Sequence, residues 1–262
     1  MVERGEASGI LSALTVLDLS EGIAGPFAAK LFADYGATVM KIEPPGLGDR
    51  SRGRGPFPDG VPNREASARF LYLNTNKLSI TLDYENATGA AILTRLCEDA
   101  DAVIEDGPTR RRPELGLDGD SLIARVPRLV ITTISHAEGA EYQVGLHAFA
   151  ATLAASWYAA RTEHGQLVAV DGRSVAASLR GLAGGEEPLD VEAYLSGAVL
   201  FPVEHPVAGP LSYPGGPFLS NLSSSWRAGR APLLGEHNEE VLGGMIGVER
   251  GDLVRLRGAG VI

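Results

Sequence analysis

LTVLDLSEGIAGPFAAKLFADYGATVMKIE, residues 14–43, changes its periodicity twice. Residues 14–20 (LTVLDLS) are a short apolar run of the kind that forms a buried strand. Gly22, Gly25 and Pro26 then break the chain. Pro26 suits the first turn of a helix, because its missing N–H would have no partner there in any case. Residues 27–35 (FAAKLFADY) place apolar side chains at helical spacing, Gly36 is a stop signal, and 37–43 (ATVMKIE) alternate as a strand does. Strand, helix and strand in about thirty residues make a crossover unit with parallel strands.

The same alternation continues outward. Residues 44–69, with Pro44, Pro45, Pro56, Pro58 and Pro62, read as a long surface loop, and 70–83 (FLYLNTNKLSITLD) as a strand. Helix 86–99, strand 101–105, helix 119–125, strand 128–134, helix 141–161, strand 166–171 and helix 173–180 follow. Residues 181–235 are rich in Gly, Pro and Ser, with strand-like runs at 197–203 and 208–213, and 236–246 and 249–257 read as two closing helices. The fold class is α/β: a Rossmann-like, mostly parallel sheet flanked by helices, with an extended C-terminal return segment. Such a sheet offers its ligand site beyond the carboxyl ends of its strands.

Composition narrows the function. The chain has 262 residues, 44% of them hydrophobic and 21% charged, and 23 Lys+Arg against 33 Asp+Glu give a net charge of −10. That balance argues against a nucleic-acid partner, while leaving room for a local basic pocket around one phosphorylated ligand. The one cysteine, Cys97, excludes an internal disulfide and a thiolate metal cluster, and fits a reducing cytoplasm. No apolar run reaches transmembrane length, and residues 1–9 (MVERGEASG) are charged where a signal peptide would be apolar, so no membrane partner is expected. There is no phosphate loop ending in Gly-Lys-Ser/Thr and no nucleophile elbow, and no histidine pair has metal-ligand spacing, so no metal is expected.

Several phrases, in order, resemble family III CoA transferases, which include formyl-CoA and carnitine CoA transferases and the α-methylacyl-CoA racemases. They are LTVLDLSEGIAGPFAAKLFADYGATVMKIEPPGLGDRSR, then FLYLNTNKLSITLDYENATGAAIL with Asn76, Lys77 and Ser79, then ADAVIED and LGLDGDSLIARVPRLVITTIS. HAFAATLAASWYAARTEHGQLVAVDGRSVAASL, VEHPVAGPLSYPGGPFLS and RAPLLGEHNEEVLGGMIGVERGDLVRLRGAGVI complete the set. The resemblance implies a large CoA-binding domain at 1–180, a short bridge at 181–203 where relatives carry a small second domain, and a segment at 204–262 that packs back on the large domain. It also implies a deletion just before residue 141 and loss of a glycine-rich lid, which would admit water to an activated acyl group.

The resemblance further implies site residues. In these transferases an aspartate attacks the acyl-CoA thioester from just before a helix. Anchoring on Gly145-Leu146-His147-Ala148 carries that role to Glu141, a carboxylate one methylene longer. The plain alternative for Glu141 is a solvated first-turn carboxylate favoured by the helix dipole. Gly22, Ile23 and Ala24 inherit a CoA-lining turn. Leu82 inherits a packing contact with CoA. Arg50, Arg52 and Arg54 stand near a position where relatives hold CoA phosphates, and Arg110, Arg111 and Arg112 form a second basic cluster; each group is either a phosphate contact or a solvated loop. His136, at the end of strand 128–134, would pair with Glu141 in a racemase-like proton transfer. His147 reads as structural, His164 as a turn residue, and His205 and His237 as parts of closing loops.

The functional expectation is therefore transfer of CoA between carboxylic acids through an intermediate on Glu141. Two alternatives stand beside it: a CoA-binding subunit without catalysis, and an acyl-CoA racemase using His136 and Glu141. The implied ligand is coenzyme A or an acyl-CoA, with a carboxylic acid as second substrate. The implied assembly is a homodimer, or a heterodimer with a full-length relative.

Overall fold

The 14–43 unit folds as its periodicity requires. In the computed structural model, which describes residues 9–106, 113–135, 139–175, 200–214 and 229–262, β1 (Thr15–Asp18), α1 (Ala24–Asp34) and β2 (Thr38–Glu43) form a parallel crossover with Val16 opposite Val39 and Leu17 opposite Met40. Pro26 lies in the first turn of α1, which begins three residues earlier than the apolar spacing alone indicates. The chain continues through α2 (Ala68–Leu73), β3 (Leu78–Thr81), α3 (Ala87–Glu98), β4 (Ala102–Glu105), α4 (Gly119–Arg125), β5 (Val130–Ile134), α5 (Glu141–Thr162) and β6 (Leu167–Val170).

The six strands make one sheet in the order β3-β2-β1-β4-β5-β6, and every pair in it is parallel. This is the doubly wound order, in which the direction of winding reverses between β1 and β4. Alternate strand residues serve opposite cores. Val16, Val39, Ile104 and Val130 pack with Phe32 of α1 and with Val144 and Ala148 of α5. Leu17, Met40, Val103 and Ile131 pack with Leu93 and Leu96 of α3 and with Val241 and Leu242 near the C-terminus. Burial on both faces explains why apolar residues point to both sides of these strands, with polar ones gathered toward their carboxyl ends.

The strand-like runs at 197–203 and 208–213 pair as a separate antiparallel hairpin, β7 (Leu200–His205) and β8 (Gly209–Pro214). Beyond it, residues 239–245 form a π-helical turn (Glu239–Met245), and a final helix covers Arg250–Gly258. The outer edge of β3 is closed by this last part of the chain. His237 N–H donates to the Ser79 carbonyl (2.9 Å), Ser79 N–H donates to His237 Nδ1 (3.0 Å), and Thr81 N–H donates to Asn238 Oδ1 (2.8 Å).

The segment read as one strand at 70–83 divides in two. Residues 68–73 are helical, and only Leu78–Thr81 pair with β2. Ser67 caps the helix by accepting from Phe70 N–H (3.3 Å), and the buried Phe70 ring lies under the Arg52 guanidinium at 3.6 Å. The long loop at 44–69 is also more ordered than its prolines suggest, with 3-10 turns at Arg50–Gly53 and Pro58–Gly60. The helix expected at 173–180 runs beyond the described residues, as does most of the bridge at 181–203.

Candidate active site

Loops following β1, β2, β4 and β5 converge on the carboxyl edge of the sheet and enclose a cavity of about 260 Å³. It stands at the reversal point between β1 and β4, where a doubly wound sheet leaves a crevice. Its lining brings together Gly22, Ile23, Ala24, Arg50, Arg54 and Glu141, six of the residues singled out in the sequence. Glu21, Ser51, Arg69, Asp106, Ile134 and Ser135 complete it.

Close packing of two helices sets Glu141 in this wall. Gly145, one turn after Glu141, lies so near the start of α1 that a Cβ there would stand 2.5 Å from the Ala24 carbonyl oxygen. Only glycine permits that approach. The Phe27 and Tyr142 rings meet edge to face at 5.0 Å and hold the two helix starts together. The first turn of α1 has no side-chain cap and no acidic residue, so the positive end of its dipole adjoins the cavity that Ile23 and Ala24 line.

Behind the lining lies a buried ionic layer. Lys41 Nζ contacts Asp49 Oδ2 at 2.8 Å and Asp18 Oδ2 at 3.6 Å, and Lys77 Nζ reaches Asp18 Oδ2 at 2.8 Å and the Pro26 carbonyl at 2.8 Å. Asp49 Oδ1 accepts from the N–H groups of Ser51 (2.7 Å) and Gly22 (3.3 Å), so the layer is bonded directly to the cavity wall. Burial alone would raise the Asp18 carboxyl, but Lys41 and Lys77 hold it below its usual value, and Lys41 does the same for Asp49. The cost falls on Lys77. Burial, with some repulsion from Lys41, outweighs the pull of Asp18 and lowers its ammonium to about 8.

On the wall itself, Arg50 Nε pairs with Glu21 Oε2 at 2.6 Å, and its Nη2 stands 3.6 Å from Asp106 Oδ2. Asp106 Oδ1 accepts from Glu21 N–H at 3.0 Å. Burial pushes the Asp106 carboxyl up to about 7, against the opposing pull of that N–H, Lys41 and Arg50. The buried Ser51 hydroxyl adds to the pull of Lys41 and the Ser51 N–H in holding the Asp49 carboxyl below its usual value.

Two expected residues lie elsewhere. Leu82 is buried in the core with Ile80 and Leu93. Arg52 is also buried: its Nε and Nη2 bind Glu43 (2.6 and 2.8 Å) and its Nη1 binds Glu65 (2.8 Å). Its donors are spent inside the protein, so it is a structural cation rather than a free phosphate ligand. Arg110, Arg111, Arg112 and His136 lie outside the described residues. His147 is on α5, His164 follows it, and His205 caps the hairpin turn by accepting from Val207 and Ala208 N–H (3.3 and 3.0 Å). Of the residues missed in the sequence, Asp106 carried the clearest signal. It directly follows strand 101–105, at the edge where a ligand is expected.

Residues 11–140 match CoA-transferase family III. The chain is 36% identical to a succinate–glutarate CoA-transferase of Agrobacterium fabrum, over 48% of this chain and 32% of that protein. It is 35% identical to a formyl-CoA:oxalate CoA-transferase of Afipia carboxidovorans, over 47% of this chain and 28% of that protein. The matched part thus spans about three-tenths of these curated relatives. Among solved structures, a CAIB/BAIF family protein from Brucella suis aligns with TM-score 0.57 and 26% identity, over 69% of this chain and 59% of that one. A mutant of Rv3272 from Mycobacterium tuberculosis aligns with TM-score 0.72 over 89% of this chain and 98% of that one, a likeness of fold at 16% identity. The matched segment carries β1 to β5 and ends one residue before Glu141; through it, the chain belongs to CoA-transferase family III.

Proposed function

We propose that the chain binds a CoA thioester at this cavity and moves CoA between carboxylic acids through an intermediate on Glu141. The observation that carries the reading is that Glu141, the turn at 22–24 and Arg50 line one cavity at the sheet's carboxyl edge. The Glu141 carboxylate attacks the thioester carbonyl, the C–S electron pair leaves with sulfur, and a mixed anhydride remains on Glu141. The oxyanion formed in that attack is met by the uncapped N–H groups at the start of α1. Arg54 and Arg69, both exposed on the cavity rim, supply positive charge for the incoming carboxylate or for CoA phosphate.

Incubation with acetyl-, formyl- and succinyl-CoA, followed by intact mass spectrometry and hydroxylamine trapping, tests this. The wild type is expected to gain a hydroxylamine-sensitive adduct that maps to Glu141, and Glu141→Gln is expected to gain none while still binding CoA. A wild-type chain that takes no adduct from any of the three overturns the transferase reading.

A second reading is a CoA-binding subunit without chemistry, for which the turn at 22–24 and Arg50 in the cavity wall would suffice. CoA binding by calorimetry with no adduct on Glu141 is the result that would favour it. The racemase alternative depends on His136, which lies outside the described residues; exchange of the substrate α-proton with deuterium would be its signature.

A further inference from the structure

We propose that Asp106 is the proton carrier of this cavity, giving its proton to the sulfur of the departing CoA and taking it back when that sulfur returns. The proposal rests on the reading of Glu141 as nucleophile.

Three features of the site point to it. First, Asp106 and Glu141 line the same cavity but follow different strands, and the third carboxyl of the lining, Glu21, is paired with Arg50. Second, the two oxygens of Asp106 are placed differently. Oδ1 is anchored by Glu21 N–H at 3.0 Å, whereas among the described residues Oδ2 meets only the Arg50 guanidinium, at 3.6 Å, beyond hydrogen-bond length. Third, Arg50 is held at 2.6 Å by Glu21, so it is already balanced and does not force Asp106 to ionise. The charged groups acting on Asp106 are Lys41 and Arg50, which favour its carboxylate, and Asp18, which opposes it; burial exceeds all of them.

The chemistry needs such a group. As the Glu141 carboxylate oxygen bonds to the acyl carbon, the C–S bond breaks and its electron pair stays on sulfur. A thiolate is a better nucleophile than the carboxylate it has just exchanged with, so unprotonated it returns at once. Transfer of the Asp106 proton to sulfur leaves neutral CoA thiol and an Asp106 carboxylate, which Arg50 then stabilises from 3.6 Å. In the next step the thiol gives its proton to Asp106 as sulfur attacks the Glu141 carbonyl of the anhydride, so that the first carboxylate leaves and CoA is held as a thioester on Glu141 for the acceptor carboxylate to open. Protons and charge balance in both directions, with no further reactant. A carboxyl that titrates near 7 suits both donation and recovery.

The test is the rate of adduct formation on Glu141 in the full chain, from pH 5.5 to 9, with the three thioesters named above. In the wild type the rate is expected to fall as pH rises through about 7, because the acid form of Asp106 is consumed. Asp106→Asn is expected to form the same adduct about a hundredfold more slowly or worse, with no fall above pH 7. A variant whose profile matches the wild type overturns the proposal and leaves the nucleophile reading intact. Absence of any adduct on wild-type Glu141 overturns both. Should circular dichroism show that Asp106→Asn does not fold, the wild-type profile decides alone: a rate that does not decline above pH 7 is incompatible with Asp106 as proton donor.

Discussion

Charged residues at the carboxyl edge divide into those the fold consumes and those it leaves in the cavity. Lys41, Lys77, Asp18, Asp49, Glu43 and Arg52 neutralise one another inside the protein, and removal of any partner would leave a buried charge exposed to a low-dielectric interior. In the sequence, Arg50, Arg52 and Arg54 look alike, one every second residue. Their different fates depend on Glu43 and Glu65 closing around Arg52, a tertiary event that local spacing does not encode. Asp106 stays between the two groups, and its raised pKa makes folding stability depend on pH. An unfolded aspartate titrates near ~4 and the folded one at about 7, so between these values the folded chain holds more protons. Its contribution is therefore complete below about pH 4 and is lost as pH climbs to about 7, with a slope of at most about 1.4 kcal/mol per pH unit. Asp106→Asn removes that slope. Urea unfolding from pH 4.5 to 8 is expected to show the stability difference moving in the variant's favour as pH rises, and parallel curves for the two proteins would contradict the assignment.

Among the elements, strands and long helices were legible and the short helix was not. β1, β4 and β5 are short, largely apolar runs bounded by turn residues, β2 alternates, and α5 spans 22 residues, enough for its period to declare itself. Residues 68–73 carry apolar side chains compatible with either period, and a capping serine together with Phe70 packing on Arg52 decides for helix. The contact of α5 with α1 is where element packing becomes chemistry, since it sets the reach of Glu141. Gly145→Val puts side-chain carbons where the Ala24 carbonyl now lies, and backbone on both sides leaves little room to yield. The expected cost is about 1–3 kcal/mol of stability, read from urea unfolding. Displacement of Glu141 by about an ångström is expected to slow its acylation by roughly a hundredfold. A variant with wild-type acylation would mean that this close approach does not position the carboxylate.

Across the whole molecule, parallel pairing was legible in the sequence because a parallel pair needs a crossover and helices between most strands supply it, whereas the strand order is a tertiary outcome. The closure of the β3 edge was not legible either, because Thr81 and Asn238 are 157 residues apart and neither belongs to a recognisable pairing pattern. That closure has a physical purpose. An uncovered edge strand presents unpaired N–H and C=O groups to any other chain, and here the backbone at His237 and the Asn238 side chain take the place of a seventh strand. Asn238 both accepts from Thr81 N–H and donates to Thr81 Oγ1, each at 2.8 Å, in a buried position. Asn238→Ala leaves the Thr81 N–H buried without its acceptor, a loss of about 1–3 kcal/mol. Because the same clasp holds Val241 and Leu242 against the core shared with β1 and β2, the loosening is expected to spread along the edge rather than stay at one amide. Hydrogen exchange should then quicken at Ser79 and Thr81 together, with the amides of β5 unchanged; uniform quickening across the sheet would show instead that the clasp supports global stability and not the edge.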